Sequence, residues 1–468
     1  MTAPALATAA AAAEAEDLEA SLERRFPPPE AYSHLAGDDW PEEPPVAADR
    51  DAQRRFGREL LGPIFLQFCR RLHLAGVGFE DRGARLLFVA RGGLRLGLLY
   101  RLWCERTGTT PVLPMGELAI SRVAAAKGCL VHDFVGIAPT LVREFGAGSL
   151  GYMLRCLLRG RGIDLPDVLA HTPVTIGSFA AVYEADDALG RAVRAYFAEQ
   201  ATALARYLDE LLDDIATPVL VDSGWTGGTQ ALLMRHFPQW DWHGLYFGRW
   251  DYGRGPAPHF GHIFGVSVDS LEPFANAPGQ ALFAYHHLIE DPLEIAAPSV
   301  EGYRLLPDGR GVPDGLPIDP AVLEPGADDA MFQGILEHFR SPAGAADFLA
   351  VERRADAAYR RLRRMILWPR KEDLPGMQVR PRSADFGRSL TVPVLLRLPD
   401  ASMKRRLKSV GAALWKPGQM LIAFPRLAHF VNGGSYLLRR IPFAGRHVDA
   451  VLRRGTGLAR RVLRRLVR

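Results

Sequence analysis

The sequence predicts an α/β protein: a parallel sheet with helical insertions, followed by a mainly helical C-terminal region. Residues 84–103 and residues 218–237 share one order, which is an apolar run of strand type, a glycine-rich turn and an amphipathic helix. A shorter strand and helix occupy residues 115–126. Strands that alternate with helices form parallel sheets, because each crossover helix returns the chain to the same edge of the sheet.

The composition is that of a soluble globular protein, since 48% of the 468 residues are hydrophobic and 24% are charged. The length allows two or three domains. The 4 cysteines are far apart and form no CxxC pair, which argues against a zinc site or disulfide framework and favours a reducing compartment. No apolar run approaches the ~18 residues of a membrane span, and the N-terminus lacks a signal-peptide pattern. We therefore expect a cytoplasmic protein.

Composition also divides the chain into three regions. Residues 1–53 are acidic and rich in alanine and proline, and we expect a disordered or loosely packed tail. Residues 54–300 contain the strand and helix units and form the predicted α/β domain, with a helical insert at about residues 133–175. Residues 301–468 begin with Gly- and Pro-rich turns and continue as a mainly helical region that ends in a basic amphipathic helix.

Hydrophobic periodicity defines the elements in chain order. A helical stripe begins near Arg54, and we expect the Gly62-Pro63 dipeptide to divide it into two helices. Apolar runs predict strands at residues 86–90, from 115, at 219–221 and at 242–247. Helical patterns occupy residues 94–103, about 188–215, 281–294, about 328–339 and 345–367. Residues 253–280 are rich in glycine and proline and are predicted to be irregular.

The first candidate site is the turn after the strand at residues 219–221. Its members are Asp222, Ser223, Gly224, Thr226, Gly227, Gly228 and Thr229. Glycines let backbone N–H groups turn inward, the helix start adds partial positive charge and threonines offer hydroxyl donors, which together are typical of a phosphate site. Asp222 is better suited to bind sugar hydroxyls or a metal. The turn lacks the lysine of a P-loop and the spacing of a dinucleotide fingerprint, and an ordinary tight βα turn is the alternative.

A second candidate site is the turn Arg91-Gly92-Gly93, which follows the strand at residues 86–90. In a parallel sheet both turns lie at the C-terminal edge, where ligands bind. Arg91 is therefore a candidate fork-shaped donor to a second phosphate, with a capping arginine at the surface as the alternative. Arg122, at the start of the next helix, is a further candidate phosphate contact or else a solvated arginine.

The predicted helix at residues 281–294 carries four further polar candidates, His286, His287, Glu290 and Asp291. His287 and Asp291 are four residues apart and share a face. A metal site would need a third ligand, which the spacing does not supply, so a solvated or helix-end cluster is favoured. The functional alternative is that Glu290 or Asp291 contacts an acceptor or acts as its general base.

The end of the chain is strongly basic, and Asp449 is the single acid among its last thirty residues. Arginines alternate with apolar residues as in a basic amphipathic helix, which suits an anionic membrane surface. Packing on the domain and contact with nucleic acid are the alternatives. We expect peripheral contact with the inner face of the cell membrane and no nucleic-acid partner.

Several segments, taken in order, resemble one family. They read LGPIFLQFCRRLH, LLFVARGGLRLGLLY, AISRVAAA, PVLVDSGWTGGTQALL, HGLYFGRW and IEDPLEIAAPSVEGY. They are similar to the phosphoribosyltransferase-like region of bacterial polysaccharide-biosynthesis proteins, which are often named HAD-superfamily hydrolases and typically read FLARDGY, SRR and DIGW-G-Q. The resemblance covers roughly residues 55–310, and its most specific part is the pattern D-x-G-W-x-G-x-x-Q. The chain departs from the family at Gly92, where an aspartate is usual, and at Ser223, where type I phosphoribosyltransferases usually have a second acid.

The resemblance implies a type I phosphoribosyltransferase-like sheet and a ribofuranosyltransferase that uses 5-phosphoribosyl 1-diphosphate (PRPP) and Mg²⁺. It implies transfer of 5-phosphoribose to a sugar acceptor of a capsule or O-antigen, carried on a lipid, with release of pyrophosphate. A separate phosphatase is expected, because the chain has no aspartate-rich DxDx[TV] motif. A non-catalytic PRPP- or phosphate-binding protein and a nucleobase-type phosphoribosyltransferase remain alternatives.

The resemblance also assigns roles to residues of this sequence. The 5-phosphate falls to Thr226, Gly227, Gly228 and Thr229, with Ser223 and Gly224 beside them. Pyrophosphate falls to Arg91, Gly92, Gly93 and Arg122. Asp222 is assigned to the ribose hydroxyls or to Mg²⁺, and it joins Glu290 and Asp291 as a candidate catalytic residue.

Overall fold

The structure is a computed structural model, and it describes residues 48–145, 148–158, 161–251, 257–271, 278–314, 320–383, 391–392, 394–398 and 401–438. Nearly all of the predicted N-terminal tail and the predicted basic helix beyond residue 438 therefore lie outside the described residues.

A sheet of six parallel strands forms the centre of the described chain. The strands are β1 (Ala84–Val89), β2 (Met115–Leu118), β3 (Thr217–Val221), β4 (Gly224–Trp225), β5 (His243–Arg249) and β6 (Ile263–Asp269). Both β3 and β4 pair with β5, at Val219↔His243 and Gly224↔Gly248, so the short β4 continues β3 in the same register. The order across the sheet is β2, β1, β3 with β4, β5 and β6, and every pairing is parallel. The prediction of an α/β protein with a parallel sheet is confirmed.

The central strands are apolar on both faces because both faces are covered. All five residues of β3 are buried. Val219 and Val221 contribute to one hydrophobic core, whereas Leu220 contributes to a second core on the opposite face. This alternation is the period of two expected of a strand, and burial of both faces explains the continuous apolar run in the sequence.

Helices form a layer on each side of the sheet. The first layer includes α1 (Arg50–Phe56), α2 (Gly62–Gly76), α3 (Gly92–Thr107), α10 (His287–Leu293), α11 (Ala330–Arg340) and α12 (Phe348–Leu367). The second includes α4 (Arg122–Cys129), α5 (Phe134–Phe145), α6 (Leu150–Leu157), α7 (Ile176–Glu184), α8 (Ala188–Leu211) and α9 (Gly228–His236). The predicted helical insert thus corresponds to α5 and α6 with the 3₁₀ helix Asp167–Ala170.

The described part of the C-terminal region is mainly helical and packs on both layers. It adds α13 (Met403–Ala412), α14 (Lys416–Ala423), α15 (Pro425–Leu438) and the antiparallel hairpin of β7 (Gly302–Leu305) and β8 (Gly311–Asp314). A second small pair joins β9 (Arg382–Ser383) and β10 (Thr391–Val392). Among the residues that the structure describes, no helix has the length and apolar character needed to cross a membrane.

The predicted break at Gly62-Pro63 is wrong. Residues Gly57–Leu61 form a turn of π-helix that joins α1 directly to α2, and Pro63 lies in the first turn of α2. The Gly62 N–H donates to the Gly57 carbonyl five residues earlier, and this wider turn lets the helical path continue through Pro63, which has no N–H to donate.

Two further local predictions are corrected. The segment 253–280 was predicted to be irregular, but it contains the 3₁₀ helix Pro258–His262 and the strand β6. The predicted single helix at 281–294 is instead the 3₁₀ helix Pro278–Ala284 followed by the short α10. In both places tertiary packing against the sheet outweighs the local composition.

Candidate functional site

A cavity of about 290 Å³ lies at the C-terminal edge of the sheet, where β1, β2 and β3 end. All the predicted site residues line it except Gly93 and Asp291. The cavity is also lined by Ser121, Tyr246, Glu294 and Ser299, which the sequence analysis did not single out. The parallel sheet therefore brings the two predicted turns together, as a common strand edge requires.

The turn at residues 226–229, called the TGGT turn below, leads directly into α9. Gly227 is the N-cap of α9 with a left-handed φ of 65°, and no side chain of the described residues caps the helix. The first N–H groups of a helix have no acceptor within it, so they remain able to bind an anion. A side chain at Gly227 would meet Ile263 Cδ1 at 2.3 Å, so packing against β6 also requires glycine there.

Arg122 lies beside the TGGT turn, although the sequence analysis grouped it with Arg91 at the pyrophosphate turn. An added Cβ on Gly228 would be 3.6 Å from Arg122 Nε and 3.9 Å from Thr226 Oγ1. The Arg122 Nη1 donates to Glu144 Oε1 of α5 at 2.9 Å. The turn is therefore flanked by a guanidinium whose position is fixed partly from the helical insert.

Arg91 and Gly92 lie at the end of β1. The Arg91 guanidinium pairs with Glu294 Oε1 at 2.8 Å, and its Nη1 donates weakly to the Ala297 carbonyl at 3.4 Å. Gly93 has a packing role, since an added Cβ would meet the Val221 carbonyl oxygen at 2.4 Å. The glycines thus let α3 approach the sheet closely, while Arg91 borders the cavity.

Asp222 occupies the floor of the cavity, next to Gly92. Its Oδ1 accepts from the Ser223 N–H at 2.7 Å and lies 3.5 Å from where a Cβ on Gly92 would be. Burial raises the pKa of Asp222 to about 7, and the Glu290 carboxylate adds to the rise, while hydrogen bonds from Ser223 and the charge of Arg122 oppose it. A group with this pKa exchanges protons near neutral pH and would gain from a bound cation.

The two predicted acids of α10 have different surroundings. Glu290 lines the cavity, and its Oε1 accepts from Trp225 Nε1 at 3.0 Å. Asp291 instead accepts from the Arg380 backbone N–H and Nε, both at 3.0 Å, and faces the C-terminal region. Glu290 is therefore the acid that can contact a ligand in the cavity.

Three possible metal ligands come together around Glu290, although they are not the predicted pair of His287 and Asp291 with a third residue. Ligand atoms of His286, His287 and Glu290 all lie within 4.8 Å of one another. His286 Nε2 is 4.0 Å from Glu290 Oε1. The sequence analysis named all three residues but paired His287 with Asp291, whose carboxylate the structure places on Arg380 instead.

The tryptophan and glutamine of the D-x-G-W-x-G-x-x-Q pattern hold neighbouring parts of the site in place through hydrogen bonds. Trp225 is buried, and its indole orients Glu290. Gln230 is fully buried, accepts from Tyr246 Oη at 2.8 Å and donates to the His262 carbonyl at 3.3 Å. Gln230 thereby ties the start of α9 to β5 and to the residue before β6.

Comparison with known proteins does not assign the chain to a family. No protein-family model matches the chain, and no similar sequence is found among curated proteins.

Proposed function

We propose that the chain is a PRPP-dependent transferase that moves 5-phosphoribose to a sugar acceptor of a bacterial surface polysaccharide and releases pyrophosphate. The observation that carries the proposal is the shared cavity, which is bordered by the TGGT turn with Arg122, by Arg91 and by Asp222. PRPP carries phosphate groups at both ends of a pentose, and this arrangement offers donors to both. The volume of about 290 Å³ is near the lower end of ligand sites, which favours a compact ligand.

In this proposal the 5-phosphate binds the N–H groups at the start of α9. The hydroxyls of Thr226 and Thr229 and the guanidinium of Arg122 supplement those donors. Pyrophosphate binds near Arg91, which exchanges part of its contact with Glu294 for the ligand. Because both phosphate ends are held, the C1 atom of the pentose is fixed relative to the acceptor.

Asp222 is the residue of the cavity that fits a divalent cation. Its carboxylate is buried, its pKa is raised to about 7 and it borders the Arg91 turn. Mg²⁺ bound there would screen the charge of the departing pyrophosphate.

The transfer breaks the bond from C1 to the pyrophosphate oxygen and forms a bond from C1 to the acceptor oxygen. The electron pair of the broken bond leaves with pyrophosphate, and the acceptor hydroxyl must lose its proton. Glu290 is the proposed base, because it lines the cavity and is oriented by Trp225. Asp291 is less suited to that role, since Arg380 holds its carboxylate.

The acceptor and the partners extend the proposal beyond the cavity. We propose a lipid-linked glycan acceptor at the inner face of the cell membrane and a separate phosphatase that removes the 5-phosphate. The basic end of the sequence supports contact with an anionic membrane. No nucleic acid is required.

The decisive experiment measures PRPP binding by calorimetry and pyrophosphate release with glycan acceptors. We expect the double variant Thr226→Val, Thr229→Val to weaken PRPP binding at least about tenfold, because each hydroxyl donates to the phosphate. Thr202→Val is the matched control, since Thr202 is exposed on α8 and its hydroxyl donates to the Ala198 carbonyl of its own helix. Unchanged PRPP affinity in the double variant would exclude the TGGT turn as the phosphate site.

A non-catalytic PRPP-binding protein is the second candidate, and the glycine at position 92 favours it. That glycine leaves Asp222 without a neighbouring carboxylate from the Arg91 turn. Tight PRPP binding without pyrophosphate release across glycan acceptors would support this candidate. Turnover with free nucleobases would instead support the nucleobase transferase.

A further inference from the structure

We propose that Asp241, His243 and His262 form a binding site for a transition-metal ion of the zinc type. The site lies at the edge of the sheet opposite the cavity. Asp241 and His243 lie at the start of β5, and His262 directly precedes β6. The cavity lies where β1, β2 and β3 end, so the two sites occupy opposite ends of a parallel sheet.

The three side chains already converge. One ligand atom from each residue lies within 4.8 Å of the other two, and His243 Nε2 is 3.1 Å from Asp241 Oδ2. The imidazole rings of His243 and His262 have centroids 5.2 Å apart. Tetrahedral ligands about 2.0–2.2 Å from zinc lie roughly 3.5 Å from one another, so small side-chain rotations complete the geometry.

The chemistry of the ligands favours a particular class of metal. Two imidazoles and one carboxylate suit Zn²⁺, Ni²⁺ or Co²⁺, whereas Mg²⁺ and Ca²⁺ prefer sites made of oxygen atoms. Three protein ligands leave a fourth position, which water can fill. The nitrogen content of the cluster therefore distinguishes this site from a magnesium site at Asp222.

An unsatisfied buried atom gives independent support. His262 Nδ1 is buried and has no hydrogen-bond partner among the described residues. A buried polar atom without a partner is costly and calls for an explanation such as a bound ion or water. Arg82 Nη1 lies 3.8 Å from Asp241 Oδ2 and can remain as the outer partner of the carboxylate.

The position of the cluster suggests a structural role. His262 ends the 3₁₀ helix Pro258–His262, which also carries His259. A ring nitrogen of His259 is 2.7 Å from the Thr226 carbonyl oxygen, behind the TGGT turn. A metal that clamps His262 to the start of β5 would therefore fix the segment that supports this turn.

The test uses the full-length protein after removal of metals with a chelator. Zn²⁺ is titrated by calorimetry, and Co²⁺ is titrated with visible absorption as the readout. We expect His243→Ala and His262→Ala each to weaken the binding of one equivalent of Zn²⁺ at least about tenfold. Each variant should also lose the absorption spectrum of tetrahedral Co²⁺ bound at that site. The control His171→Ala, which alters an exposed histidine of a loop, should bind Zn²⁺ like the wild type.

Two features keep the result interpretable. Asp241→Asn alters an exposed, similarly shaped side chain, so it reports on the site even if a histidine variant misfolds. The His286, His287 and Glu290 cluster can bind a second equivalent, which the three variants should leave intact. Absence of Zn²⁺ binding by the wild type would overturn the proposal, as would an unchanged number of tight equivalents in all three variants.

Discussion

At the scale of single residues, Asp222 determines how the cavity responds to pH. Its folded-state pKa is raised to about 7 by burial, with Glu290 as a second cause. The unfolded chain releases this proton near pH 4. Between these two values the folded protein binds more protons than the unfolded chain, so this carboxyl makes the protein less stable as pH rises. Above about pH 7 its contribution no longer changes.

The first prediction follows from that sign. Asp222→Asn removes the ionising group but keeps the Oδ1 acceptor for Ser223, so it should be more stable than the wild type at pH 8 by on the order of 1–3 kcal/mol. The difference should become small at pH 4. Urea unfolding between pH 4 and pH 8 measures this, with the exposed Asp186→Asn as the control. If the unfolding free energies of wild type and Asp222→Asn depended on pH in the same way, the Asp222 carboxyl would not have a raised pKa in the folded protein.

Gly92 gives the second prediction at this scale. A side chain there begins 3.5 Å from Asp222 Oδ1, so Gly92→Asp creates a pair of carboxylates at the cavity floor. Paired carboxylates favour a divalent cation. We expect Mg²⁺-dependent PRPP binding at least about tenfold tighter in Gly92→Asp than in Gly92→Asn, a change of roughly 1.4 kcal/mol. Calorimetry with and without Mg²⁺ tests this, and equal affinities in the two variants would contradict it.

At the scale of elements, the two adjacent glycines of the TGGT turn differ in what they tolerate. Gly227 has a left-handed φ, and an added Cβ there would lie 2.3 Å from Ile263 Cδ1. An added Cβ on Gly228 would lie 3.6 Å from Arg122 Nε, its nearest neighbour among the described residues. Gly227 is therefore required by the fold, while Gly228 leaves space at the cavity.

The third prediction compares alanine at the two positions. Gly227→Ala should destabilise the protein by about 2–4 kcal/mol, through backbone strain and displacement of Ile263. Gly228→Ala should change stability by less than about 1 kcal/mol, because alanine is a good helix former in the first turn of α9. Urea unfolding at one pH compares them directly, and equal losses would contradict the assigned backbone conformation.

Much of the central sheet could be predicted from sequence because its strands are buried on both faces. Such strands leave continuous apolar runs, and the glycine turns that follow β1 and β3 mark their ends. The strand β6 escaped prediction because its sequence, IFGVSVD, contains glycine and polar residues and lies between Gly- and Pro-rich segments. Its pairing with β5, rather than its composition, makes it a strand.

The candidate site was predictable where its residues follow strands and not where they come from distant segments. Asp222, the TGGT turn and Arg91 each follow an apolar run. Glu294 lies in one of the segments that resemble the family. Its contact with Arg91 joins residues about two hundred positions apart, and such a contact leaves no local sequence pattern. The same reason explains why the placement of Arg122 beside the TGGT turn required the structure.

At the scale of the whole molecule, a partly buried charge network joins the α/β domain to the region beyond residue 300. Arg380 Nε donates to Asp291 at 3.0 Å, and its Nη1 lies 3.6 Å from Asp329. Asp329 also pairs at 2.8 Å with the fully buried Arg95 of α3. One hydrophobic core includes residues from both sides of residue 300, so the predicted boundary there separates segments that pack together.

The fourth prediction belongs to this network. Arg380→Ala should cost about 1–3 kcal/mol of unfolding free energy, because two nearly buried carboxylates lose contact with a guanidinium that is itself 41% exposed. Arg360→Ala is the matched control on α12, since its exposed pair with Asp356 should contribute less than about 1 kcal/mol. Thermal and urea unfolding of both variants check the difference. Similar small losses in both would mean that the packing of apolar residues alone joins the two regions.

The contact between Arg122 and Glu144 links the interior of the cavity to the inserted helices. Arg122 Nη1 donates to Glu144, so an anion that drew the guanidinium further towards the TGGT turn would compete with this contact. Filling the cavity would then loosen one attachment of α5, and tightening that attachment would oppose filling. Under such competition, thermodynamic reciprocity requires that a molecule which holds α5 more tightly would also change the affinity of the cavity for its ligand.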